Sequence, residues 1–581
     1  MTKGLTMRIA GESGEGIIVA GDILTMASAR FGLHVQTYRT YPSEMRGGPS
    51  TFQLRVDHEP VLSQGDFVDV LLAFNAHAYT ENKRDLREGG LLIYDSDEFS
   101  PADSERGVAV GLPLTKIAQK EVAFPQGKNI VALGALAAIL SLPREMVAEV
   151  VAEKLGKKSE AVAQRNAVAL QAGFGHAQEN LAEREYFRLG QGADAGEFLV
   201  MSGNQAVALG AIAAGCRLFA GYPITPASEI MEYLAANLPK FGGDVVQTED
   251  EMSALAAAIG AAYAGVKAMT ATSGPGLSLM TELLDLSSMA EVPVVIVDAQ
   301  RAGPSTGMST KTEQSDLNHM LYGAHGEAPR IILAPTDVQE CFNLTVRAFN
   351  LAETYQMPVI IATDQSLAQR TEAIRRPRMD DVRVVQRVRP ELNQEVTYRR
   401  YALTASGVSP RSIPGERQST YVATGLEHDE YGHPSTNPDV RKAMMDKRFR
   451  KLEESAKELS GARRFGAQRP AIGIIGWGST EGAVREAVAR ANAEGLKAGA
   501  LYPETLSPLP DEEIRSFVRE VKHLIVPEVN YTGQLAGVLR ARYGVQPIQV
   551  NKYTGAPFTP MEILARIREV AVDGNRNSHQ A

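Results

Sequence analysis

The chain has 581 residues, 44% of them hydrophobic and 22% charged, with a formal net charge of −9. One hydrophobic core does not extend over that length, so about three or four domains of an ordinary soluble globular kind are expected. The mild acidity and the lack of a basic stripe exclude nucleic acid as the main partner. The uncharged run 198–216 carries Asn204 and Gln205, so it fails as the ~20 apolar residues of a membrane span.

In chain order, a first block runs from about 5 to 190. "LTMRIAGESGEG" reads as a strand, a glycine-rich turn and the start of a helix from Ile17 to Phe31. "VDVLLAF" and "GGLLIYDS" follow as apolar runs of buried-strand length. A second block, 196–375, repeats the pattern with strands at "RLFAG", "DVVQT", "KAMTAT", "VPVVIVDAQ" and "MPVIIAT", separated by helical stretches. Region 376–468 lacks sustained periodicity and reads as a long arm, with a charged helix near "NPDVRKAMMDKRFRKLEESAKEL". The last block, 469–575, returns to alternating strands and helices. The expected fold class is α/β: three doubly wound, mostly parallel sheets, divided at 1–190, 196–375 and 469–575, with the arm at 376–468.

Five stretches stand out chemically. Gly11-Glu-Ser-Gly14-Glu15-Gly16 follows a strand and opens a helix, a place where close backbone approach and the helix terminus suit phosphate. Glu12 and Glu15 oppose a pyrophosphate there, and no acidic residue about 20 positions on completes a dinucleotide fingerprint, so an ordinary βα turn stands beside the nucleotide reading. "YPSEMRGGPS" adds Arg46, either an anion contact or a surface residue. Thr248-Glu-Asp-Glu251 reads as a capping box on the helix that follows, or else as a buried carboxylate at Glu251. "TSGPG" (272–276) lies between a strand and a helix. "RAGPSTGMSTKTEQSDL" (301–317) sets Arg301 and Lys311 among hydroxyl donors, at the sheet edge where such folds bind ligands.

Together, "GYPITPASEI", "VVQTEDEMSALAAAIGAAYAG", "MTATSGPGLSLM" and "GPSTGMSTKTEQSDL" resemble the alpha chain of the 2-oxoacid:ferredoxin oxidoreductases. "GESGEGIIVAGDIL" with "YPSEMRGGPS" resembles that family's gamma domain, fused here at the N-terminus. "GLEHDEYGHPS" resembles its arm, and the final block its transketolase C-terminal-like domain. The resemblance implies oxidative decarboxylation of a 2-oxoacid with thiamine diphosphate, electron transfer through a [4Fe-4S] cluster to ferredoxin, and acyl transfer to coenzyme A. Carbon dioxide fixation is the reverse.

By position, the resemblance makes Glu251 the partner of the thiamine pyrimidine N1′ and Thr225 the hydroxyl presented to substrate, with Tyr222 and Lys311 also on the substrate. It implies thiamine diphosphate contacts from Pro223, Ile224, Glu251, Ser273 and Gly274, and coenzyme A contacts from Gly14, Glu15, Gly16 and Arg46. Lys311 stands where broad-specificity relatives have arginine, which replaces a bidentate fork with a point charge.

Two cysteines, Cys216 and Cys341, cannot ligate a four-cysteine cluster. The cluster and the Mg²⁺–diphosphate site are therefore expected on a separate beta subunit in an (alpha-beta)2 heterotetramer, with no metal on this chain. The start of the sequence shows no apolar leader, so a cytoplasmic location is expected. The fused architecture and "STKTEQSDL" favour 2-oxoglutarate as substrate. Pyruvate or a branched-chain 2-oxoacid, and a non-catalytic assembly subunit, are the alternatives.

Overall fold

A computed structural model of the protein describes residues 4–42, 47–101, 107–156, 160–181, 189–192, 197–391, 397–459 and 461–578. Backbone contacts divide the chain into two compact units. The first comprises 1–201 with the short segments 369–376 and 559–561, and the second comprises 202–368, 377–558 and 562–581.

The first unit is built on one eight-stranded sheet. Its strands are β1 (Leu5–Glu12), β2 (His34–Thr40), β3 (Pro49–Asp57), β4 (Val68–Ala73), β5 (Leu86–Asp95), β6 (Gly107–Leu112) and β7 (Phe198–Ser202), with β14 (Thr371–Arg375) inserted from far along the chain. The order is β6-β5-β4-β1-β3-β2-β14-β7. The half β6-β5-β4-β1 is parallel. The pairings β1/β3, β2/β3 and β2/β14 are antiparallel, so this sheet is mixed, parallel in its β6-to-β1 half and antiparallel from β1 to β14. β4 is buried along its whole length, as its unbroken apolar run requires. The helices Ile17–Arg30, Lys128–Ile139, Arg144–Leu155 and Glu160–Leu181 supply the main core on one face.

The second unit holds two sheets. The larger has the order β18-β12-β13-β11-β10-β8-β9, from β8 (Leu218–Gly221), β9 (Asp244–Gln247), β10 (Ala268–Thr272), β11 (Val294–Gln300), β12 (Ile331–Leu333), β13 (Pro358–Asp364) and the edge strand β18 (Thr505–Ser507). All but β18 run parallel. β11 and β13 are buried at every residue, which is the environment that parallel strands covered on both faces demand.

The smaller sheet, β15-β17-β16-β19-β20, comprises β15 (Ala462–Gly466), β16 (Ile472–Ile475), β17 (Ala498–Pro503), β19 (His523–Glu528) and β20 (Ile548–Asn551). One core joins the two sheets: Ile475, Trp477, Leu501 and Phe517 pack with Leu255, Leu284 and Ile332.

Between them lies the arm. Among its described residues from 377 to 437 the only element is the turn Met379–Asp381, and then the helix Pro438–Glu458 begins, with Asn437 as its cap and proline in its first turn. Charged groups fix the arm from within. Lys447 and Lys451, both essentially unexposed, donate to the buried Glu291 carboxylate at 2.6–3.0 Å, and Arg400 donates to the Glu291 carbonyl at 2.8 Å. No helix among the described residues is long and apolar enough to cross a membrane.

Candidate active site

At the C-terminal edge of the larger sheet, the helix Glu251–Tyr263 follows β9. Its cap is Asp250, whose side chain accepts from the Ser253 amide at 2.7 Å. Thr248, expected as the cap of a capping box, instead donates through Oγ1 to the Asp250 carbonyl at 2.9 Å. Capping by Asp250 moves Glu251 to the first helical position and relieves it of any capping task. Glu251 is only 5% exposed, and none of the described residues donates a hydrogen bond to its carboxylate. A buried carboxylate without a donor is costly unless a ligand completes it.

The turn after β10 meets that carboxylate. Ser273 precedes the short helix Gly274–Leu279, and its Oγ is fully buried with no hydrogen-bond partner. A Cβ on Gly276 would lie 2.5 Å from Glu251 Oε1, and one on Gly274 would lie 2.6 Å from Asp316 Oδ2. Only glycine backbone fits between these carboxylates.

The loop after β8 carries Tyr222, Pro223, Ile224 and Thr225, with a cis peptide between Thr225 and Pro226. Tyr222 is 41% exposed. Three anchors hold the backbone. Arg301 Nη1 donates to the Thr225 carbonyl at 2.8 Å, Asn204 Nδ2 to the Pro226 carbonyl at 2.8 Å, and Ser228 Oγ to the Ile224 carbonyl at 3.1 Å. The Thr225 hydroxyl makes no bond to a described residue. Fixed carbonyls with a free hydroxyl are an arrangement that presents the hydroxyl outward.

Arg301 leads out of β11 into the loop 301–316, which folds on itself through Ala302 N to Lys311 O and Met308 N to Ala302 O, both 2.9 Å. The stem of Lys311 packs on Gly555, and the Thr312 amide donates to the Gly555 carbonyl at 3.3 Å. Burial pushes the Lys311 ammonium below its ordinary pKa, and no carboxylate among the described residues offsets it. It is a half-buried cation open to an anionic ligand.

The structure thus sets Arg301 against the Thr225 carbonyl, Glu251 against Gly276 and Asp316 against Gly274 of the same turn, with Lys311 on the Arg301 loop. Two further carboxyls belong to this neighbourhood. Asp298 on β11 is fully buried with neither oxygen partnered, and Asp316 has an unpartnered buried Oδ2. Burial and the nearby Asp316 push Asp298 well above the carboxylate range. Burial and Glu313 push Asp316 up to about 6, against the pull of Arg301. The sequence signal for Asp298 was a lone acid inside the apolar run "VPVVIVDAQ"; for Asp316 there was none.

In the first unit, Gly14 and Gly16 both have positive φ, and a Cβ at Gly14 would meet nothing within 4 Å. Glu15 turns inward: its Oε2 accepts from the Glu12 amide at 2.7 Å, and Lys128 Nζ lies 3.8 Å from Oε1. The Ser13 amide donates to the Gly48 carbonyl at 3.0 Å, tying the glycine loop to the β2–β3 connection. Arg46, in that connection, lies outside the described residues.

Three family models match in succession: pyruvate ferredoxin/flavodoxin oxidoreductase over residues 6–175, the thiamine-diphosphate-binding region of pyruvate flavodoxin/ferredoxin oxidoreductase over 209–447, and pyruvate:ferredoxin oxidoreductase core domain II over 471–563. A 2-oxoacid:ferredoxin oxidoreductase 2 alpha subunit from Aeropyrum pernix is 33% identical over 98% of each chain. The 2-oxoglutarate oxidoreductase subunit KorA of Mycobacterium tuberculosis is 32% identical over 97% of this chain and 91% of its own. The solved structure of a 2-oxoglutarate:ferredoxin oxidoreductase from Magnetococcus marinus, with 2-oxoglutarate, coenzyme A and succinyl-CoA bound, superposes with a TM-score of 0.94. It is 43% identical and covers 98% of this chain and 100% of its own. The chain belongs to the family of 2-oxoacid:ferredoxin oxidoreductase alpha subunits.

Proposed function

We propose that the chain is the alpha subunit of a cytoplasmic 2-oxoglutarate:ferredoxin oxidoreductase, interconverting 2-oxoglutarate, coenzyme A and oxidised ferredoxin with succinyl-CoA, carbon dioxide and reduced ferredoxin. The observation that carries the reading is Glu251, a buried carboxylate without a donor, set against glycine backbone at Gly276. The bound ligands of the 43% identical Magnetococcus marinus protein support 2-oxoglutarate over pyruvate and branched-chain acids.

The residues at the site suit thiamine diphosphate. Its aminopyrimidine edge needs one carboxylate, hydrogen-bonding groups and close backbone approach, and Glu251, the orphaned Ser273 Oγ and the Gly274 and Gly276 backbone provide these. When bound, the group supplies a carbon nucleophile for the oxo carbon and holds the electron pair released with carbon dioxide. Glu251 would hydrogen-bond the pyrimidine N1′ through a shared proton and so bias the tautomer of the ring. Pro223 and Ile224 would line the ring from the loop that Arg301 and Asn204 hold in place. Thr225 Oγ1 donates to the substrate where charge develops, with little ordering cost because its backbone is already anchored. Lys311 Nζ binds a substrate carboxylate as a point charge, and Tyr222 closes the exposed side.

An iron–sulfur cluster does not fit this chain. The two cysteines are both buried, and burial pushes the Cys216 thiol up to about 12, away from the thiolate a cluster needs. The cluster and the Mg²⁺–diphosphate contacts are assigned to a beta subunit in an (alpha-beta)2 assembly. The first unit corresponds to the gamma domain and serves coenzyme A through Gly14, Glu15, Gly16 and Arg46. The purified chain alone should reduce no ferredoxin, and the assembly with the beta subunit should do so in a coenzyme A-dependent way; turnover by the isolated chain refutes the shared site.

A further inference from the structure

We infer that Asp316 is a positioning residue: its carboxylate draws the Arg301 guanidinium away from Glu251 and so keeps the Glu251 carboxylate open to the cofactor. This rests on the cofactor reading above.

Arg301 is 8% exposed, its Nη1 is committed to the Thr225 carbonyl, and its Nε is buried without a partner. Two acids compete for it. Burial lowers its pKa, while Asp316, and then more weakly Glu251, raise it. Arg301 closes no ion pair with either acid among the described residues. A desolvated cation anchored at one nitrogen and attracted by two unpaired carboxylates leans toward the one that attracts it more strongly. Asp316 sits against Gly274, and Glu251 against Gly276, so the two acids meet the "TSGPG" turn at different residues. If Asp316 loses its charge, Glu251 is the remaining anion within reach of Arg301, and the ion pair they form occupies the carboxylate that N1′ requires.

The titratable groups around Asp316 fix how this depends on pH. They are Glu313 on its own loop, Asp298 on β11, Arg301 at the end of β11, and Glu251 beyond it on the neighbouring helix. Burial and Glu313 raise Asp316 to about 6, so its charge is present at neutral pH and lost just below. Burial and the Asp316 charge push Asp298 well above the carboxylate range, toward its neutral form. Cofactor binding prefers the ionised form. Affinity is therefore highest well above pH 6, is partly lost at about pH 6 and falls further as pH drops through that value.

The experiment is calorimetric titration of thiamine diphosphate with Mg²⁺ into the co-purified alpha–beta assembly depleted of cofactor, at pH 7.5 and pH 5. Asp316→Asn should bind about tenfold more weakly than wild type at pH 7.5, and the two should converge at pH 5. Asp298→Asn should follow wild type at both. In an Arg301→Gln background, which loses the anchor of the Thr225 loop on its own account, Asp316→Asn should have no further effect at either pH. A wild-type to Asp316→Asn ratio that does not change with pH overturns the inference. So does an Asp298→Asn variant that behaves like Asp316→Asn, or an Asp316 effect that persists without Arg301. A wild-type assembly that binds no thiamine diphosphate at either pH overturns the cofactor reading, and this inference with it.

Discussion

Gly276 and Glu251 are in contact across the gap between two helix starts: a Cβ on Gly276 would stand 2.5 Å from Glu251 Oε1 and would also strike Thr272 Oγ1. The carboxylate has room for a ligand because that side chain is missing. Gly276→Ala should force Glu251 from its position at a cost of about 1–3 kcal/mol. The expected outcome is at least a tenfold loss of cofactor affinity with a small drop in melting temperature, read by titration and thermal denaturation.

Glu251→Gln separates the chemical role of the carboxylate from its place in the helix. Asp250 caps that helix, so stability should be unchanged. Turnover should fall about 100-fold or more, as for loss of a positioned proton-handling group. Steady-state assay beside a denaturation curve checks both halves, and retained activity removes Glu251 from the N1′ role.

Thr225→Val removes a hydroxyl while leaving the Arg301 bond to the residue's carbonyl, 2.8 Å long, in place. Because the loop backbone keeps its anchor, the loss should appear in both kinetic constants: KM rises, kcat falls, and kcat/KM drops about tenfold to a hundredfold. A wild-type kcat/KM rules out the hydroxyl as a substrate donor.

The arm depends on Glu291. Burial pushes this carboxyl up, but Lys447, Lys451 and Arg400 outweigh it and hold the group well below the usual glutamate range. Its stabilising contribution is present above the unfolded value of 4.5 and is lost as pH falls below it. Glu291→Gln leaves two buried ammonium groups without their counter-charge and should cost about 3–5 kcal/mol in chemical denaturation. Trp477, the sole tryptophan, lies buried in the core shared by the two sheets of the second unit and reports the transition.

What the sequence disclosed follows from how each element signals. β4, β11 and β13 are buried on both faces, so their apolar runs announced them. β2 and β3 read "HVQTYRT" and "PSTFQLRVD"; their polar residues hid an antiparallel pair that sits between β1 and β14. The arm looked aperiodic and largely is, yet Arg400, Arg411, Lys447 and Lys451 lie within the protein, where a hydropathy reading puts charge outside. At the candidate site, Thr225, Glu251 and Lys311 came from motif wording. The coupling of Arg301 to Asp316 did not, because it joins the two ends of a loop whose closure only the fold supplies.

The central claim is tested most directly by co-purifying the chain with its beta subunit and ranking 2-oxoglutarate against pyruvate in coenzyme A-dependent ferredoxin reduction. The expected result is a kcat/KM for 2-oxoglutarate at least tenfold above that for pyruvate, about 1.4 kcal/mol of discrimination. A preference for pyruvate contradicts the substrate assignment, and an assembly that turns over neither acid contradicts the enzymatic reading itself.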